Sequence, residues 1–195
     1  KSGFRPLYFY TCHEKVYAQM INGGFYEFDG QRFHLLLERT AVGNDNVVAI
    51  LPYGNGGMVL LTVDNGLFVY EHETVSTLRT DIDAQLRWAK GNRAVMVGDS
   101  ILAIGTILDG IYGVDKKGHL LWHLNRDNQL NNNSVMGLFG DRENNLWAAL
   151  DDGICSYQYF YNIAHSFCQR FEYRYGLWSG KGRRKNLFGY QSGSL

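Results

Sequence analysis

Charge of one sign, cysteine, proline and long apolar runs are all scarce in this 195-residue sequence. Lysine plus arginine number 19 and aspartate plus glutamate number 19, so the net charge is zero. A balanced chain lacks the basic footprint of a nucleic-acid-binding protein. Three cysteines, Cys12, Cys155 and Cys168, make neither a disulfide framework nor a zinc pattern. No apolar stretch approaches the roughly eighteen residues of a membrane-spanning helix. Helical signals are nearly absent and confined to residues 82–89, IDAQLRWA. The chain starts at Lys1 with no signal-type apolar segment behind it, so it reads as a piece of a longer protein.

What is present favours a turn-rich β protein. Glycine occurs 23 times against two prolines, beside 13 tyrosines and 11 phenylalanines. With 45% apolar and 19% charged residues the chain has enough to bury a core.

A repeat runs through most of it. Gly24 in INGGFYEF, Gly66 in VDNGLFVY, Gly110 in ILDGIYGV and Gly153 in LDDGI each follow a polar turn and precede an apolar pair. Their spacings are 42, 44 and 43 residues, and about 40–45 residues is one four-stranded propeller blade. The order inside each unit recurs: a short strand after the glycine, a polar turn, a second strand, a polar loop, then two more strands. Asn or Asp followed by Gly is hairpin chemistry, since both tolerate positive φ. The expected fold is all-β: a partial β-propeller of about three four-stranded antiparallel blades plus the start of another, with an irregular C-terminal tail. Two blade faces of such a fragment stand open to water.

The third unit resembles a known repeat. Ile104, Gly105, Thr106, Gly110 and Ile111 match one copy of the two-component regulator propeller repeat. Asn133, Ser134, Val135, Asp141, Asn145, Leu146, Trp147, Gly153 and Ile154 match a second. Asn144 replaces the turn glycine, and Ala149-Leu150 replaces Gly-Thr. The resemblance spans roughly residues 15–154. It implies the sensory, usually periplasmic, part of a membrane-anchored bacterial two-component or transcriptional regulator. In that family a triple-tyrosine sandwich, a membrane span and a histidine kinase or DNA-binding output module follow. It also implies a carbohydrate-type ligand for the intact parent and a homodimer of that parent as a further partner. The residues themselves do not choose between periplasm and cytoplasm.

From Cys155 onward the composition changes. Residues 155–195 hold six basic residues and one acidic one, Glu172, and 11 of their 41 residues are aromatic. Neither a helical nor a strand period is clean in SYQYFYNIAHSFCQRFEYRYGLW. Codons for KNLFGYQSGSL, read one nucleotide later, permit KIYLGTNQGL, a strand-turn-glycine element one blade beyond Gly153. Domain 1–154 is therefore a partial propeller, and 155–195 an aberrant tail expected from a frame slip near Cys155–Ser156.

No candidate chemistry outweighs a structural reading. His119 and His123 fall four apart on an expected strand, without a third metal ligand. Cys12-His13 lacks an orienting acid. Asp81/Asp83 and Asp151/Asp152 sit in loop and turn contexts. The run 181–185, KGRRK, belongs to the aberrant tail. Trp147 occupies a repeat position suited to packing, which leaves Trp88 as the better ligand-contact candidate. No catalytic, metal or cofactor site is expected, and the ligand-binding residues stay unassigned. The residues singled out are structural: Gly24, Gly66, Gly105, Thr106, Gly110, Asp141, Trp147 and Gly153. A sensor fragment is the preferred function. A polysaccharide lyase or glycosidase on a propeller scaffold is the alternative, because fold alone does not separate the two.

Overall fold

A computed structural model describes residues 5–160, 163–174 and 177–186. Sheet I contains β1 (Pro6–Cys12), β2 (Lys15–Met20), β3 (Phe25–Phe28) and β4 (Phe33–Leu37). Sheet II contains β5 (Val47–Tyr53), β6 (Gly57–Thr62), β7 (Leu67–Glu71) and β8 (Thr74–Leu78). The helix α1 (Asp83–Ala89) follows. Sheet III contains β9 (Gly91–Val97), β10 (Ile101–Thr106), β11 (Ile111–Asp115) and β12 (Leu120–Leu124). Sheet IV contains β13 (Val135–Gly140), β14 (Leu146–Leu150), β15 (Gly153–Phe160), β16 (Ile163–Arg174) and β17 (Leu177–Asn186). Within every sheet the strands are antiparallel and lie in chain order. The first strands pack in series, β1 on β5, β5 on β9 and β9 on β13, so the sheets stand as the blades of a propeller.

Burial follows from that stacking. Strands β5 and β6 read as near-continuous apolar runs because sheet II is covered on both faces. On one face Ile50, Met58 and Leu60 join Tyr17 and Phe25 of sheet I. On the other, Leu51, Val59, Leu61 and Val69 join Leu102, Ile104 and Tyr112 of sheet III. Sheets III and IV share a third core containing Ala103, Ile111, Val135, Leu146 and Ala148.

The blade count differs from the expectation, and the reason is phase. Each repeat glycine lies where the second strand of its sheet turns into the third, Gly153 opening β15 itself. Four glycines therefore mark four sheets, not three units and a start. Strand β1 precedes the expected beginning at residue 15, and sheet IV runs on past residue 154. The tail expected to be irregular supplies the strand backbone of β15, β16 and β17. Cys155 and Tyr157 point inward while Ile154 is exposed, and the Tyr157 ring packs 5.4 Å from that of Trp122. The cysteines also depart from expectation. Register places Cys155 opposite Cys168, and the two form a disulfide. Residues 187–195, most of the segment 185–195 from which the frame slip is read, lie outside the described residues.

The repeated turn has a local cause. Thr106 and Thr62 are fully buried. In each, the amide and hydroxyl both donate to the carbonyl of the turn glycine, Gly110 at 2.8 and 2.9 Å and Gly66 at 2.9 and 2.9 Å. The same hydroxyls accept the amides of Asp109 and Asn65 at 3.0 and 3.2 Å. Gly110 has φ 72°, and a Cβ there would lie 2.1 Å from the Leu124 carbonyl oxygen, so no other residue fits. Gly66 and Gly153 share the positive φ. Gly24 lies against the Leu37 carbonyl in sheet I.

Candidate ligand-binding site

The residues weighed from sequence are dispersed over the molecule. Cys12 is buried at the end of β1, and desolvation pushes its thiol up. His13 and Glu14 form the two-residue hairpin that follows, both at positive φ. His119 bonds Asp115 through Nδ1 at 3.0 Å. His123 stacks on Tyr112 with ring centroids 4.0 Å apart and reaches the Asp109 carbonyl through Nε2 at 2.7 Å. The two imidazoles thus have separate anchors, and Asp109 also accepts the Tyr112 hydroxyl. Asp83 Oδ1 accepts both the amide and the hydroxyl of Thr80 ahead of α1, at 2.9 and 2.7 Å. Asp81 holds the Leu120 amide at 2.9 Å. Among the described residues no group of three His, Cys, Asp or Glu side chains is placed to hold a metal ion.

Two recesses stand out among the described residues. The smaller, about 250 Å³, is lined by Arg126, Asn131, Asn132, Asn133 and Asp152. Two of its amides are engaged in shaping the loop, since Asn132 accepts the Ser134 amide at 2.8 Å and Asn133 the Arg126 amide at 2.7 Å. The larger, about 490 Å³, opens between sheets I and II, within the size range of small-molecule sites. Neither Trp88 nor Trp147 lines it.

Register builds this cleft. Tyr17 of β2 lies opposite Glu27 of β3, and Glu27 opposite His34 of β4, so the three form one cross-strand row. Lys15 donates to Glu27 Oε1 at 2.6 Å. Asp29 accepts the amides of Gln31 and Arg32 at 2.8 and 2.9 Å and also bonds His34. Those contacts, the Arg32 amide first, hold its carboxyl at about 2. Sheet II contributes Tyr70 from β7 and His72 and Glu73 from the next hairpin. Burial and then Glu27 push the Tyr17 hydroxyl up to about 12. Burial, followed by Glu73 and Glu27, raises that of Tyr70. Both phenols therefore stay protonated donors at neutral pH. The Tyr70 hydroxyl thus lies within electrostatic range of Glu73 and Glu27. No motif announces these residues, because they come from four strands and two turns that only sheet register brings together.

The repeat's other marked residues serve elsewhere. Asp141 accepts the amides of Glu143 and Asn145, the Asn145 side chain and the Trp147 indole, all within 2.8–2.9 Å. Trp147 itself lies half exposed on the outer face of sheet IV. Trp88 projects from α1 and is 53% exposed, near the turn whose Ile107 and Leu108 amides donate to the Ala89 carbonyl.

No protein-family profile matches the chain, and no curated protein matches it in sequence. Solved structures share its fold. The extracellular domain of the one component system BT4673 from B. thetaiotaomicron is 15% identical, with a TM-score of 0.64, covering 92% of this chain and 28% of that one. The extracellular domain of the hybrid two component system BT3049 from B. thetaiotaomicron is 14% identical, with a TM-score of 0.63, covering 86% and 26%. The computationally designed Ika8 protein is 14% identical, with a TM-score of 0.53, covering 81% and 54%. This chain thus spans about a quarter of the natural proteins it overlies, which are regulators of the class its repeat resembles. No described helix is long and apolar enough to cross a membrane.

Proposed function

We propose that this chain is part of the ligand-sensing propeller of a bacterial regulator, acting outside the cytoplasm, and that the cleft between sheets I and II takes a neutral carbohydrate-type ligand. The likeness to extracellular regulator domains supports the sensor role. The observation that carries the ligand class is the meeting, in one recess, of a carboxylate, Glu73, and a phenol, Tyr70. A carboxylate accepts two hydroxyls of a sugar, and the phenol donates to a third oxygen while its ring covers an apolar C–H face. The cleft's two sheet I carboxylates, Glu27 and Asp29, do not support acid catalysis. Glu27 is tied to Lys15, and Asp29 is pulled down, whereas a carboxylic acid working near neutral pH needs a raised value.

Calorimetric titration of the chain with defined oligosaccharides tests this. A binding oligosaccharide should lose about 10–100-fold in affinity to Glu73→Gln or Tyr70→Ala. No binding to any polysaccharide-derived oligomer overturns the ligand class. Release of new reducing or unsaturated ends favours the lyase or glycosidase reading instead.

A further inference from the structure

The smaller recess, between sheets III and IV, is lined by polar side chains: Arg126, Asn131, Asn132, Asn133 and Asp152. The first four belong to the connection from β12 to β13, and Asp152 to the turn between β14 and β15. Strands in each sheet are antiparallel and in chain order. This recess therefore lies at the end of the strands opposite the hairpins that border the cleft between sheets I and II.

Its walls are already ordered. The Asn125 carbonyl accepts the amides of Asn128, Gln129 and Leu130 at 3.3, 2.9 and 2.8 Å, and Leu130 is buried in the core shared by sheets III and IV. The Asn133 carbonyl accepts the Gly110 amide at 2.9 Å, and the Ser134 carbonyl the Asp151 amide at 3.1 Å. These contacts tie the connection to the turns of both sheets. A site set in advance loses little conformational freedom when a ligand enters.

Side-chain chemistry sets its polarity. Asn132 Oδ1 accepts the Ser134 amide at 2.8 Å, and Asn133 Oδ1 the Arg126 amide at 2.7 Å. Only the oxygen of a side-chain amide can meet a backbone N–H, so both carbonyl ends are committed to the loop and the NH2 groups point away from it. What these two side chains hold out to a ligand is N–H donors. Arg126 adds a guanidinium, which is donor only and meets a carboxylate through two parallel hydrogen bonds. Asp152 narrows the choice. Its charge opposes a dianion, while the roughly four acceptor sites of a carboxylate let it take a ligand hydroxyl beside its contacts within the chain. At about 250 Å³ the recess falls below the roughly 300–1,000 Å³ of drug-sized sites, so it suits a single monomer.

We propose that this recess is a second ligand site, and that it binds a small hydroxylated monocarboxylate, the chemistry of a uronic acid. The ligand carboxylate sits on Arg126 and the NH2 groups of Asn132 and Asn133, and a ligand hydroxyl donates to Asp152. The ligand of the cleft plays no part here, so either site can fail without the other.

Heteronuclear NMR titration of the full chain tests this with matched probes. Glucuronate carries carboxylate and hydroxyls, glucose only hydroxyls, acetate only a carboxylate, and sulfate a double charge. Glucuronate should shift the side-chain amide signals of Asn132 and Asn133, and each other probe should bind at least about 10-fold more weakly. Arg126→Gln should cost glucuronate about 10-fold or more. Asn132→Asp is the sharper variant. It keeps an oxygen for the Ser134 amide and exchanges the NH2 donor for an acceptor, so the loop stays while glucuronate affinity falls at least about 10-fold. Asp152→Asn should remove the advantage of glucuronate over acetate and strengthen sulfate binding. Glucuronate that leaves the amide signals unmoved, glucose or acetate that binds as well as glucuronate, or undiminished affinity in Arg126→Gln or Asn132→Asp overturns the proposal.

Discussion

Gly105 of sheet III faces Val135 of sheet IV so closely that a Cβ on Gly105 would lie 2.5 Å from Val135 Cγ1 and 2.9 Å from its Cβ. Both neighbouring atoms are on a β-branched side chain with little freedom to withdraw, and Val135 is fully buried. Gly105→Ala should therefore destabilise the chain by about 1–3 kcal/mol, the usual cost of overpacking. Urea denaturation checks this: the midpoint should fall with an unchanged slope.

The Asp141 carboxyl, held by the Trp147 indole above all, titrates at about 2, below the ordinary aspartate value of about 3.9. A folded value below the unfolded one means that the contribution is complete above pH ~4 and is lost as pH falls through about 2. Carboxyl-carbon NMR should place the Asp141 midpoint near 2. Trp147→Phe, which removes the indole donor and keeps a ring, should move that midpoint up toward the ordinary value. An unmoved midpoint would show that Asn145 and the backbone amides set it without the indole.

The thiols should be unreactive in the native chain. Cys155 and Cys168 are joined, and Cys12 is buried with its thiol pushed up by desolvation. Alkylation followed by peptide mapping should label Cys12 only after unfolding, and Cys155 and Cys168 only after reduction as well. Reduction should cost about 2–4 kcal/mol of stability.

The boundary at residue 154 is tested in the gene. The frame slip proposed near Cys155–Ser156 requires that the nucleotides encoding 185–195, read one position later, spell KIYLGTNQGL. Any other continuation removes the frame-slip proposal and leaves β15, β16 and β17 as in-frame strands of sheet IV.

The repeat was legible because its turn chemistry is local. Thr62 and Thr106 bind their own turns, and Gly66 and Gly110 stand four residues on, so spacing alone exposes them. The strands around those turns follow, as does the short helix α1. Phase was not legible, since a glycine in the middle of a sheet looks the same in sequence as one at its start. The disulfide was hidden because it depends on Cys155 facing Cys168 across β15 and β16, in a segment without clean periodicity. The cleft was hidden for a related reason. Glu27, Asp29 and His34 read as ordinary hairpin residues, and Tyr70 and Glu73 join them only when sheets I and II are stacked.

The chain-order pairing of strands within every sheet bears on how the protein is made. Contacts close in sequence form quickly, and sheet I packs chiefly within itself and on sheet II, with Arg93 of sheet III reaching the Tyr8 ring. During synthesis, which proceeds from the N-terminus, sheet I can be finished while sheet III is still unmade. Each finished sheet then offers a template on which the next condenses, so assembly runs in one direction along the arc, one blade at a time.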